Sequence, residues 1–131
     1  MIAKQLSVFL ENKTGRINEV TRILGTAGIN MTAFSIAETT DFGILRVIVS
    51  DIDKAVAVLR ENHYTVRLTD VVCLDCPNVP GALSEVLEHL AGENVFIEYM
   101  YAFSRGEIAS VVIRPTDIAR CVAILEKYLL G

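Results

Sequence analysis

The sequence predicts an α+β fold built twice: two β-α-β-β-α-β units, each an antiparallel sheet with two helices on one face, the second unit lacking its last strand. Three observations predict it. Runs rich in β-branched residues alternate with runs of helical period, in the order strand, helix, strand, strand, helix, strand. That order then restarts: an offset of 66 aligns residues 11–62 with 77–128 without a gap, and ten of those fifty-two positions are identical. In both copies an Asn stands three residues before a Gly where a strand hands over to a helix, at Asn12-Lys13-Thr14-Gly15 and Asn78-Val79-Pro80-Gly81.

Gln5-Leu6-Ser7-Val8-Phe9-Leu10 reads as the first strand. Ile17, Val20, Leu24 and Ala27 then recur at spacings of three, four and three, one face of a helix. Gly25 and Gly28 close it, with Gly28 a natural left-handed cap. Ile29 to Glu38 is a second strand, with Met31, Phe34 and Ile36 among its apolar residues, and Thr39-Thr40-Asp41 makes a turn. Phe42 to Val49 is a third strand. Ser50 or Asp51 caps a second helix that buries Ile52, Ala55, Val56 and Leu59 and ends near Asn62-His63. Tyr64 to Leu68 is extended. This order is the ferredoxin-like arrangement. It assigns residues 1–69 to the first unit and 70–131 to the second. Identities in the repeat fall at the loop and at core-facing helix positions: Asn12/Asn78, Gly15/Gly81, Glu19/Glu85, Val20/Val86, Leu24/Leu90 and Asp51/Asp117.

The counterpart of Tyr64–Leu68 would begin at residue 130, so the first strand of the second unit has an open edge. The segment Tyr64–Cys76 is the obvious cover, and two arrangements of it are open. Thr65–Leu68 is a true fourth strand that leads through Thr69-Asp70 straight into Val71–Asp75; or the units pair through their second strands, and 64–70 is a crossover. A homodimer would cover the edge as well.

Composition narrows the function. Apolar residues make up 52% of the 131 and charged residues 21%, which suits a packed core. The net charge is −4 with no basic cluster, which argues against a nucleic-acid partner. No run approaches the ~18 apolar residues of a membrane span, and no leader pattern opens the chain. Three cysteines point to reduced thiols in a cytoplasmic protein. Cys73 and Cys76 have metal-pair spacing, but in a strand they point to opposite faces, and Cys73 reads as a small buried residue. No nucleophile stands beside a base, no Walker-type loop occurs and no carboxylates cluster, so an enzyme is not expected, nor a metal or cofactor. His63, His89, Glu85 and Glu88 read as structural or solvated. Tyr99, Tyr101 and Phe103 alternate along a strand and share one sheet face, a candidate partner or dimer contact.

The Gly loops carry the functional signal. A Gly at the start of a helix lets bare backbone approach a ligand, and the first-turn N–H groups make a site for a carboxylate or phosphate. In this order of elements and these loops the chain resembles a tandem of ACT domains, small modules that bind amino acids. Asn78-Val79-Pro80-Gly81-Ala82-Leu83 is close to that family's D/N-x-x/P-G-x-L pattern; Gly15-Arg16-Ile17 follows it with Thr14 where Pro is common. The resemblance implies a regulatory module that binds a free amino acid where one unit's loop meets another's second strand. It implies a ligand shell of Asn12, Lys13, Thr14, Gly15 and Arg16, with Asn78, Val79, Pro80, Gly81 and Ala82. Asn30, Met31, Phe96 and Ile97, at the starts of the second strands, would complete it. Partners so implied are a free amino acid, a biosynthetic enzyme and further copies of the chain. The rival reading is a ferredoxin-like interaction or structural protein with no small ligand. Apolar amino acids, branched-chain ones among them, fit best, because Val79, Ala82, Met31 and Ile97 would give the pocket apolar walls.

Overall fold

The computed structural model describes residues 1–11, 13–38 and 42–130, with Leu130 described by its backbone alone. The loop residue Asn12 and the expected turn at 39–41 lie outside the described residues. The elements run β1 Ile2–Glu11, α1 Arg16–Thr26, β2 Met31–Glu38, β3 Phe42–Val49, α2 Ile52–Glu61, β4 Thr65–Pro77, α3 Ala82–Gly92, β5 Ile97–Arg105, β6 Ile108–Pro115 and α4 Ile118–Leu130. They form two compact units, an N-terminal one of Lys4–Thr69 and a C-terminal one of Asp70–Gly131 together with Met1–Ala3.

In the N-terminal unit the strands lie in the order β2-β3-β1-β4. β1 is antiparallel to β3, from Leu6 opposite Val47 to Glu11 opposite Phe42. β2 is antiparallel to β3, from Met31 opposite Val49 to Glu38 opposite Gly43, with a bulge between Met31 and Ala33. Alternation puts Leu6, Val8 and Leu10 on the helix-facing side, where they bury against Val20 and Leu24 of α1, Leu45 and Val47 of β3, and Ala55 and Leu59 of α2. On the other side Gln5 is buried and donates from Nε2 to Ser7 Oγ at 3.3 Å.

The C-terminal unit repeats this with β4-β6-β5. β5 is antiparallel to β6 and carries its bulge between Ile97 and Tyr99, the same repeat positions as in β2. Val72, Leu74 and Cys76 of β4 bury against Val86 and Leu90 of α3, Val111 and Ile113 of β6, and Cys121 and Leu125 of α4. The two copies even turn alike after their first helices: Gly28 has φ +74° and its repeat partner Asn94 +57°. Asn is the residue that best tolerates this region after Gly.

The open question about residues 64–70 resolves in favour of a true strand. β4 is one unbroken strand of 13 residues. Val66, near its start, packs on the N-terminal core, while Val72, Leu74 and Cys76 belong to the C-terminal core. Among the described residues no strand follows α4. The free edge of β4 in the C-terminal unit is met instead by the N-terminus: the Cys73 N–H donates to the Met1 carbonyl at 2.7 Å. That is why β1 starts at Ile2, ahead of the Gln5 expected from alternation.

Three details complete the elements, and one of them, at Cys73, corrects an expectation. Phe34 and Ile36 are 58% and 53% exposed, because β2 is an edge strand; they share a face with buried Val47 and Leu45 but lie at its margin. Cys76, 7% exposed, is the buried thiol of the pair, and Cys73 is half-buried. Both are free thiols on opposite faces, and burial pushes the Cys73 thiol up from its ordinary range. Of the two cap candidates Asp51 acts: its side chain accepts from the Lys54 N–H at 3.1 Å. Asp51→Ala should therefore lower stability by about 1 kcal/mol, read as a fall in the urea midpoint. Among the described residues no helix is long and apolar enough to cross a membrane.

Candidate ligand-binding site

Each Gly loop ends in a helix that starts unusually. Gly15 and Gly81 are the N-cap residues of α1 and α3, with φ +89° and +86°, and among the described residues, which do not include Asn12, no side chain caps either helix. A left-handed N-cap is costly for any residue with a Cβ, which accounts for Gly at both positions. A Cβ built on either Gly meets nothing within 4 Å, so backbone angle requires the Gly, and the space above it is open. The other two helices are closed by carboxylates at repeat-equivalent positions: Asp51 on α2, and Asp117 on α4, which accepts from the Arg120 N–H at 3.0 Å. Among the described residues, side-chain caps thus stand on the helices away from the loops, and none stands where the loops lead in. An uncapped first turn leaves N–H groups and the positive end of the helix dipole for an anion.

The N-terminal loop borders two clefts. One, of about 290 Å³, lies between the loop and the end of β2, and is lined by Lys13, Thr14, Arg16, Ile17, Ile36 and Glu38 among others. The second, of about 300 Å³, opens towards the end of α2 and the start of β4, with Glu11, Arg16, Glu19, His63 and Tyr64 in its wall. Arg16 lies between them. Its guanidinium is 3.7 Å from both Glu11 and Glu19, and Lys13 is 3.0 Å from Glu11. These cations, Lys13 first, hold the Glu11 carboxyl below its usual range. Tyr64 donates to Glu19 at 2.7 Å. Burial first, and then this hydrogen bond, push the Tyr64 phenol above its ordinary range. A pKa raised by folding means that this contribution is complete below about pH 10 and is lost as pH rises through the folded value. Tyr64→Phe should remove one late-titrating phenol from an ultraviolet titration and change stability at neutral pH by about 1 kcal/mol or less.

The C-terminal loop borders one cleft, of about 410 Å³, lined by Asp75, Cys76, Pro77, Val79, Pro80, Gly81, Ala82, Glu85, Val86, Tyr128 and Leu129. Under the 66-residue offset it is the counterpart of the second N-terminal cleft: Glu85 stands for Glu19, Ala82 for Arg16 and Tyr128 for Asn62. Burial, and then the neighbouring Glu85 carboxylate, push the Tyr128 phenol above its ordinary range. Asp75 accepts from Ser110 Oγ at 2.6 Å.

The structure therefore gathers the expected loop residues into clefts in two groups. Lys13, Thr14 and Arg16 line one, and Val79, Pro80, Gly81 and Ala82 line another. Gly15 adjoins the first group as the cap of α1. Asn78 holds its own loop: its N–H donates to the Glu107 carbonyl at 2.8 Å and its Nδ2 to the Gly106 carbonyl at 3.0 Å. Asn30, Met31, Phe96 and Ile97 stand apart from the loop of their own unit. In register, Met31 lies beside Val49 and Ile97 beside Pro115, whereas the loops follow Glu11, beside Phe42, and Pro77, beside Ile108. Seven residues of strand separate the two ends of β2, roughly 20 Å at about 3.3 Å per residue. The Asn30 and Phe96 carbonyls accept from the Ser50 and Thr116 N–H groups, each at 3.0 Å. Glu19 and Glu85 were legible only as a repeated identity; both line clefts, and Glu85 is exposed as expected. The tyrosines beside them gave no signal, because Tyr64 and Tyr128 are not repeat-equivalent.

The comparisons with known proteins agree with this architecture. A crystal structure of a protein from Bacteroides thetaiotaomicron is 56% identical, with a TM-score of 0.94, covering 98% of this chain and 89% of its own. The ligand-free regulatory subunit of aspartate kinase from Thermus thermophilus matches at 14% identity and a TM-score of 0.70, over 97% of this chain and 96% of its own. The corresponding subunit from Thermus flavus matches at 15% and 0.64, with the same coverage. These last two likenesses concern the fold alone. No curated protein matches the chain. The ACT domain pair profile matches residues 1–130, and the chain belongs to that family.

Proposed function

We propose that this chain is a regulatory sensor: it binds a free amino acid at its Gly loops and, as a homo-oligomer in the cytoplasm, controls an enzyme of amino-acid metabolism. It does no chemistry itself and needs no metal or cofactor. The observation that carries this reading is the uncapped, glycine-started first turn of α1 and of α3, set against the carboxylate caps of α2 and α4. An α-carboxylate complements such a turn. Family membership supports the role, and two structural relatives are described as regulatory subunits of aspartate kinase. Lys13, Thr14, Gly15 and Arg16, with Val79, Pro80, Gly81 and Ala82, are the proposed first contacts. Asn12, Asn78 and the strand-start residues Asn30, Met31, Phe96 and Ile97 stay in the proposed shell.

One observation favours the rival reading of a ligand-free interaction protein. Asn78 spends its amide on the β5–β6 turn, as a purely structural loop residue would. A thermal-shift screen of the twenty amino acids separates the two. A ligand that binds only the folded state raises Tm with concentration. A flat response to all twenty sinks the sensor.

A further inference from the structure

The two repeat-equivalent clefts differ in one respect that bears on what they hold. In the N-terminal cleft the carboxylates already have a cation: Arg16 lies 3.7 Å from both Glu11 and Glu19. In the C-terminal cleft the position of Arg16 is Ala82, and that of Glu11 is Pro77. Glu85 and Asp75 stand in its wall beside Tyr128, and Asp75 accepts from the Ser110 hydroxyl. Among the described residues no Lys or Arg forms an ion pair with either. The remaining wall is mostly apolar, with Val79, Pro80 and Leu129, and the space is larger, about 410 Å³ against about 300 Å³.

We propose that the C-terminal cleft is the chain's amino-acid site, one per chain and selective for an apolar side chain, and that Arg16 keeps its N-terminal counterpart closed to the same ligand. The proposal rests on the sensor reading and narrows it: of the two loops offered there as contacts only the C-terminal one holds the ligand, and its cleft sets what is selected. A zwitterion has two ends to satisfy. In the C-terminal cleft the ammonium meets Glu85, and Asp75 adds to the negative field. The carboxylate meets the uncapped first turn of α3, and the apolar body lies along Val79, Pro80 and Leu129. In the N-terminal cleft an incoming ammonium meets the guanidinium of Arg16, and like charges at contact distance repel. An incoming carboxylate must draw Arg16 away from two glutamates.

A reciprocal exchange tests this. The amino acid giving the largest thermal shift among L-valine, L-leucine, L-isoleucine and L-methionine is titrated by calorimetry into wild type, Ala82→Arg and Arg16→Ala. The expected result is one site per chain in wild type, at least tenfold weaker binding in Ala82→Arg, and a second, weaker site in Arg16→Ala. Glu85→Gln, an exposed change that leaves packing alone, should weaken binding at least tenfold even if Ala82→Arg folds poorly. The carboxylic acid lacking the α-ammonium should bind wild type and Glu85→Gln equally poorly. Unchanged affinity in Glu85→Gln, two equal sites in wild type, or a preference for a charged amino acid in the full screen each overturns the proposal while the sensor survives. No response to any amino acid overturns the sensor itself.

Discussion

Leu24→Ala and Leu90→Ala should each cost about 2–5 kcal/mol, the range for emptying a well-packed leucine site. Leu24 is 0% exposed and Leu90 1%, and they occupy the same place in the two helices that follow the loops. Each fills the centre of its own core, Leu24 with Leu6, Leu45 and Leu59, and Leu90 with Leu74, Ile113 and Leu125. A domain of this size has only about 5–15 kcal/mol in total, so either change removes a large part of it. Urea unfolding is the measurement. A fall in midpoint at unchanged slope is the expected outcome, and a cost under about 1 kcal/mol at either position would show that its core can collapse around the gap.

The second large effect is on binding. Gly81→Val should remove the amino-acid thermal shift. A β-branched residue is poorly suited to the φ of +86° found there, and the strain is worth about 1–2 kcal/mol. The backbone would relieve it by turning the first N–H groups of α3 away from the cleft. Gly28→Val is the matched control, since Gly28 also has a positive φ and no atom within 4 Å of a built Cβ, but it sits beyond the far end of α1. The control should lose comparable stability and keep the shift. Equal loss of the shift in both would trace the effect to general destabilisation and remove Gly81 from the site.

Much of this fold was legible because its signals are local or periodic. β3 has the bounds that its β-branched run announced, Phe42–Val49. The helices bury the residues picked out by their period, with Val20 and Leu24 innermost in α1 and Ala55 and Leu59 in α2. The gapless offset carried over even to the strand bulges. What could not be read depends on distant partners. Nothing in Ile2-Ala3-Lys4 says that a strand has begun, since its extra length follows from the bond between Met1 and Cys73. Phe34 and Ile36 are apolar residues of a strand in sequence, and their exposure follows from the place of that strand at the sheet edge. The loops were legible as repeated Asn-x-x-Gly. Their surroundings were less so: Tyr64 donates to Glu19 and Tyr128 shares a cleft wall with the equivalent Glu85, from positions that the offset does not relate.

Met1–Ala3 belong to the C-terminal unit although they directly precede the N-terminal one, and this orders the chain in time as well as space. During synthesis Lys4–Thr69 can emerge and close its own core while the three residues ahead of it still lack their strand partner. They must wait for β4 to pass Cys73 before they dock. Until then both that short segment and the new edge of β4 are open to any passing strand, the ordinary hazard of contacts between residues far apart in sequence. The same arrangement decides where an appended peptide goes: a tag placed ahead of Met1 starts from the β4 edge of the C-terminal unit, although its sequence adjoins the N-terminal one.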